Sequence, residues 1–220
     1  MRVIFKFEKR GANRFISHLD LMRTLQRALR RAQLPVAYSQ GYNPRMILSL
    51  AAALGLGCES VAEVLDMRFE QDIAPSEATA RFNEALPEGI RMLAAREIPQ
   101  QGPALTALLS QASYQARVKG DYTAQVLAFK AAESCVILKQ NKKGARQTDI
   151  KPLVCYIDAH LEGEDTVIVT TLVHTASQAL NPDLLLRALG VEEGAKILRT
   201  GLYGTQNDAP VDLFDMEYAP

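Results

Sequence analysis

Four arginines recur at helical spacing in one short stretch: Arg23, Arg27, Arg30 and Arg31. At about 100° per residue they share one side of a helix, while Leu21, Met22, Leu25, Ala28, Leu29 and Ala32 share the other. Guanidinium groups stay charged and present planar forks of donors, so an oxyanion, phosphate above all, is their natural ligand. A turn follows, Gly41-Tyr42-Asn43-Pro44-Arg45. Its ring can stack on a base, and Asn43 and Arg45 can donate to a base edge or a phosphate. Residues 139–151 form a second basic segment, with five bases and Asp149 as its one acid. There Lys142, Lys143 and Arg146 could close over a bound strand. Each feature also has a plain reading: a solvated helix face with Asp20 paired to Arg23 or Arg27, an ordinary turn, and a solvated hairpin tip.

Catalytic groups are sparser. Ser17, His18 and Asp20 crowd the start of the same helix, but neighbouring side chains point apart and cannot make a hydrolytic triad. His18 is the one catalytic candidate, as an acid or base on RNA with Tyr42 or an arginine. The alternative is a packing histidine at the edge of the apolar face. His160 and His174 fall in strand-like segments without a visible partner, and Asp149 reads as a local partner of Arg146 or Lys151. Cys58, Cys135 and Cys155 are odd in number and widely spaced. That pattern predicts a reducing, cytoplasmic setting and no disulfide framework. No C-x-x-C, H-x-x-x-H or Gly-rich phosphate loop occurs, so neither a metal nor a cofactor is expected.

Charge is unevenly placed. The chain holds 25 Lys and Arg against 25 Asp and Glu, yet residues 1–60 carry ten bases and three acids, a local +7. Such a basic quarter can hold a polyanion while the whole chain stays neutral. No apolar run approaches twenty residues, so no membrane span is expected, and the alternating N-terminus does not resemble a signal peptide.

These groups need elements to hold them. Residues 2–9 alternate, with Val3, Phe5 and Phe7 on one side, and predict a strand. Ser17 caps the arginine helix, and Pro35 ends it near residues 32–34. Residues 46–53 and 62–70 predict two further strands. A helix capped by Ser76 and a strand over 90–98 complete the first set. The order is βαββαβ, a ferredoxin-like unit over residues 1–98. Pro99 to Pro103 marks the boundary. Residues 104–203 then read as a short helix, strand 114–119, helix 123–133, strand 134–138, strands 153–161 and 166–173, helix from Asn181-Pro182, and strand 195–203. With one strand added this is the same pattern, although the halves share no visible repeat. The fold expected is α+β, two tandem ferredoxin-like units with antiparallel sheets. Residues 204–220 are expected to be a poorly ordered tail.

The run F-I-S-H-L-D-L-M-R-T-L-Q-R-A-L-R-R-A-Q-L-P-V-A-Y-S-Q-G-Y-N-P-R, then A-L-G-L-G-C-E-S, A-E-V-L-D, F-N-E-A-L-P-E-G-I and T-D-I-K-P, resembles the bacterial family described as radical-SAM-linked proteins, a domain of unknown function. The resemblance covers nearly the whole chain. It departs at Tyr42-Asn43-Pro44-Arg45-Met46, where members typically show Phe-Asn-Pro, then His or Arg, then Pro. The chain lacks C-x-x-x-C-x-x-C, so the resemblance implies a partner of a radical SAM protein, not the radical enzyme itself. Tandem ferredoxin-like units also resemble RNA-binding and RNA-processing proteins of CRISPR systems, a likeness of fold alone.

The function expected is an RNA-binding accessory protein that works with a radical SAM enzyme in RNA modification or processing. Two alternatives stand beside it: a metal-independent RNA endonuclease or modifying enzyme using His18, and a protein–protein adaptor whose arginine face docks an acidic partner. Catalysis is left open.

Overall fold

A computed structural model describes residues 1–141 and 144–218. The protein is mixed α and β, with mostly antiparallel sheet and five α-helices among the described residues. It divides into two compact units, Met1–Leu109 with Gly201–Pro220, and Ser110–Thr200. No helix among the described residues is long and apolar enough to cross a membrane.

In the first unit, β1 (Arg2–Lys9) leads through a 3-10 turn (Gly11–Phe15) into α1 (His18–Arg31). Then come β2 (Leu48–Leu50), β3 (Glu59–Arg68), α2 (Pro75–Ala85), β4 (Ile90–Ile98) and a four-residue α3 (Leu105–Leu108). β1 lies antiparallel between β3 and β4, with Phe5 opposite Leu65 and Ala95. The short β2 pairs antiparallel with part of the other edge of β3, Leu48 opposite Met67, so these four strands run β4–β1–β3–β2. Alternation sends Val3, Phe5 and Phe7 to one face. There they pack with Leu65, Met67 and Met92, with Leu21, Leu25, Ala28 and Leu29 of α1, and with Ala78 and Phe82 of α2. Phe5 meets Phe82 edge-on at 5.9 Å.

The opposite face buries a charged pair. Arg2 is 4 % exposed and Asp66 9 %. Arg2 Nε and Nη2 donate to Asp66 at 3.0 and 2.6 Å, and Nη2 also donates to the Pro103 carbonyl at 3.0 Å. The Asp66 hydrogen bond, above all, holds the Arg2 guanidinium above its ordinary pKa. Lys6 pairs with Asp212 at 2.8 Å. Arg96 donates to the Met216 carbonyl and lies over the rings of Phe214 and Tyr218. Leu213, Phe214 and Met216 are buried. The stretch after Gly204, expected to be a loose tail, thus covers part of this face and is anchored there by Lys6 and Arg96.

The second unit takes up the chain with β5 (Leu109–Lys119), α4 (Thr123–Ala131), β6 (Val136–Asn141), β7 (Gly144–Asp149), β8 (Val154–Glu162), β9 (Asp165–Val173) and α5 (Pro182–Ala188). β9 lies antiparallel between β5 and β8. Arg199 is buried against Tyr114, whose hydroxyl accepts from its Nη2 at 3.1 Å. Arg199 lies on β10 (Lys196–Gln206), whose last residues belong to the first unit and pair with β11 (Ala209–Asp212), Gly204 opposite Val211.

Three local expectations differ. The apolar run 46–53 gives only the short β2; Ala51 and Ala52 are buried by packing outside the ladder, and an apolar run alone does not tell these apart. Ser76 does not cap α2: Ala74 holds that position and Pro75, which has no N–H to satisfy, takes the first turn. β6 does not join the β5–β9–β8 ladder but forms a separate hairpin with β7, Lys139 opposite Arg146.

α1 ends in a Schellman motif. Leu34 N–H donates to Leu29 O at 3.3 Å and Gln33 N–H to Arg30 O at 3.1 Å, with Gln33 left-handed at φ 50° and Leu34 buried behind it.

This packing sets three measurable outcomes. Asp66→Ala strands a buried guanidinium and should cost about 3–5 kcal/mol in urea unfolding. Gln33→Gly relieves a left-handed side-chain residue and should raise stability by about 0.5–1 kcal/mol in the same assay. Burial pushes the Tyr218 phenol up to about 12. A raised pKa contributes stability that is intact below the ordinary tyrosine value of about 10 and is lost as pH climbs through the folded value. The stability advantage of wild type over Tyr218→Phe should therefore shrink between about pH 10 and 12; an advantage constant across that range would contradict the assignment.

Candidate nucleic-acid interface

α1 forms where its sequence places it. The Ser17 hydroxyl accepts the Asp20 N–H at 3.2 Å and donates to the Asp20 carboxylate at 2.7 Å. Arg23 adds a bond to Asp20 at 3.1 Å. The Ser17 hydroxyl first, and Arg23 after it, hold the Asp20 carboxyl below its usual range. Leu21, Leu25, Ala28 and Leu29 are buried, and Arg23, Arg27, Arg30 and Arg31 are exposed.

The four arginines are not equivalent. Arg23 is paired to Asp20. Arg31 donates to the Ala85 carbonyl, the last turn of α2, where it meets an orphan acceptor at the negative helix end. Arg81 of α2 does the same for α1, donating to Ala32 O at 2.9 Å and Gln33 O at 2.6 Å. Arg31 therefore clamps the end of α2, and because that acceptor is neutral its charge stays intact. Arg27 and Arg30 make no hydrogen bond or ion pair among the described residues, so their forks face solvent.

The turn is equally open. Tyr42 is fully exposed, and Asn43 and Arg45 are exposed beside it. The Arg45 amide donates to Ser39 Oγ at 3.0 Å and the Ser39 amide to the Arg45 carbonyl at 2.8 Å, closing the loop. Arg45 does not join the α1 face. It lines a cleft with Arg2, Asp66 and Arg68, whose side chains share the sheet face opposite α1.

Of the second basic segment, Lys142 and Lys143 lie outside the described residues. Arg146 is exposed on β7. Asp149 pairs with neither Arg146 nor the Lys151 ammonium; its Oδ1 accepts the backbone N–H of Cys135 at 2.8 Å and of Lys151 at 3.0 Å. The Lys151 ammonium instead donates to the Phe129 and Lys130 carbonyls at the end of α4. His18, read as a packing histidine or a catalytic one, is exposed at the first residue of α1. His160 has a partner the sequence hides, Glu162, at 3.5 Å.

Arg68 is a site residue that sequence reading missed. Only the strand register, which sets it opposite Arg2, brings it to the cleft. Also missed is an exposed apolar group. Phe15 and Leu19 are 60 % and 66 % exposed, and Leu56 is 66 % exposed on a turn whose Gly57 N–H donates to Arg14 O at 2.8 Å. Arg14 lies over the Phe15 ring at 4.6 Å. Among the described residues, no group of three or more His, Cys, Asp or Glu is placed to hold a metal ion.

No curated protein matches the chain. Residues 2–182 match a bacterial family model, a span that takes in α1, its turn, the cleft and the β6–β7 hairpin. The chain therefore belongs to the family described as uncharacterized protein conserved in bacteria (DUF2344), a domain of unknown function.

Proposed function

We propose that this protein is a cytoplasmic RNA-binding accessory protein that presents RNA to a radical SAM enzyme for modification or processing. The observation that carries the RNA reading is the pair Arg27 and Arg30, two exposed guanidinium groups one helical turn apart with no hydrogen bond or ion pair among the described residues. Held on a helix whose other face is fully packed, they offer rigid, pre-aimed forks to a phosphate backbone. Exposed Tyr42 and Asn43 supply stacking and hydrogen bonding, and Arg146 a further contact on the second unit. The radical SAM partner rests on the resemblance carried by the F-I-S-H-L-D run and the motifs after it. We read both units as ferredoxin-like. Support comes from the order β4–β1–β3–β2 with one helix in each crossover, and from β8–β9–β5 with the β6–β7 hairpin as an insertion.

A second reading, an adaptor for the radical SAM partner, is favoured by one observation. Phe15, Leu19 and Leu56 are large apolar side chains exposed around one end of α1, a group that a partner could cover.

The test is binding to total bacterial RNA across a salt series. Wild type should bind with a steep salt dependence. Arg27→Ala with Arg30→Ala should weaken binding and flatten the log–log salt slope by about 1.4, since each phosphate neutralised on a single strand adds near 0.7 to the slope. Absence of RNA binding by wild type, with a radical SAM protein held through Leu19, would instead establish the adaptor. RNA cleavage in chelator, abolished in His18→Ala, would establish the endonuclease.

A further inference from the structure

The sheet face of the first unit opposite α1 and α2 carries a cleft of about 470 Å³. Ser39 and Arg45 line it from the loop, Ser49 from β2, Arg68 from β3. The Arg2–Asp66 pair lines it too. Ser49 stands opposite Asp66, and Arg68 opposite Arg2, so these four strand residues project to one face. Asp66 cancels the charge of Arg2. Arg68 donates to the Gln100 carbonyl at 3.2 Å, a neutral acceptor that leaves its charge intact. The Arg45 guanidinium has no hydrogen bond or ion pair among the described residues. The cleft thus holds two uncancelled guanidinium charges, and two serine hydroxyls able to donate.

We propose that this cleft binds a phosphate monoester of nucleotide size, with Arg45 and Arg68 on the phosphate and Ser39 and Ser49 donating to its oxygens. A phosphodiester inside a strand carries one charge. A monoester carries close to two at neutral pH and matches two arginines better. The volume falls in the range of small-molecule sites, about 300–1,000 Å³, and leaves room for a nucleoside along the apolar Ile47. The monoester can come from a free nucleoside monophosphate or from the phosphorylated end of an RNA strand. Only the second source rests on the RNA reading. The site itself is separate from Arg27 and Arg30, which lie beyond the other face of the sheet.

Calorimetric titration tests this with adenosine 5′-monophosphate, adenosine, and one short RNA bearing a 5′-phosphate, a 3′-phosphate or hydroxyls at both ends. Proteins compared are wild type, Arg45→Ala, Arg68→Ala and the Arg27→Ala/Arg30→Ala pair. Binding of the mononucleotide but not adenosine, weakened at least about tenfold in Arg45→Ala and in Arg68→Ala, supports the site. Preference for a phosphorylated RNA end, with no free mononucleotide bound, supports it with the strand end as source. Mononucleotide binding that persists in the Arg27→Ala/Arg30→Ala pair while RNA binding disappears separates the two sites. If wild type ignores both the mononucleotide and the terminal phosphate, the proposal is overturned, whatever the helix face does with RNA. Should Arg68→Ala fail to fold, Arg45→Ala decides alone, since its exposed side chain holds no described neighbour.

Discussion

A guanidinium and a carboxylate buried apart would each cost several kilocalories per mole, so Arg2 and Asp66 must stay together. That requirement reaches far along the chain. Asp66 sits diagonally across β1 and β3 from Arg2, so the pair forms only in the observed register; a one-residue slip would send one partner to the packed face. The same slip would push Phe5 or Leu65 out of the core. Charge pairing on one face and apolar packing on the other therefore select one register. Arg2 also holds the Pro103 carbonyl, so the pair fixes the chain leaving β4 as well. With Arg68 directly opposite Arg2, like charges face each other across the strands, a placement tolerable because Asp66 cancels one of them.

The second face of the sheet shows how a small unit buries polar strands. Lys6 and Arg96 would be solvated on a sheet open to water. Here the segment from Asp212 onward lies over them, and each finds an acceptor in it: Asp212 for Lys6, the Met216 carbonyl for Arg96. Phe214 and Met216 add apolar contact between these polar anchors. Gly204 suits this closeness, because a Cβ there would displace the Met216 side chain and lie 3.0 Å from the Leu108 carbonyl.

What the sequence made legible is what is local. α1 could be read to its ends because Ser17, a 3.6-residue stripe and Pro35 act within a few residues of each other. β1 could be read because Val3, Phe5 and Phe7 alternate with Arg2, Lys6 and Glu8, Ile4 being the one apolar exception. The arginine face was legible as a face but not as a set of partners. Arg31 and Ala85 are 54 residues apart, and nothing near either announces the contact. Arg68 joined the cleft, and residues beyond Gly204 joined the first unit, through pairings as long as 206 residues from Lys6 to Asp212. The β6–β7 hairpin misled for a related reason: a strand's ladder partner is a tertiary fact, while its propensity is a local one.

The basic first quarter gains its meaning once its charges are sorted by partner. Arg2, Lys6, Arg10, Arg14 and Arg23 face Asp66, Asp212, Glu8, Glu59 and Asp20. Lys9 is buried, and Arg31 is engaged at a helix end. Without an ion pair among the described residues are Arg27, Arg30, Arg31 and Arg45. A diffuse field of +7 would steer any polyanion and select none. Guanidinium groups divided between a rigid helix face and a cleft on the opposite sheet face make a different demand. They can act on one molecule only if it is long enough to pass around the unit, or on two anions of different size and charge. A single helix-face footprint does not take in Arg45, which lines the cleft with Arg68, so the proposed helix-face and cleft sites would be separate binding events that a nucleic-acid strand could join.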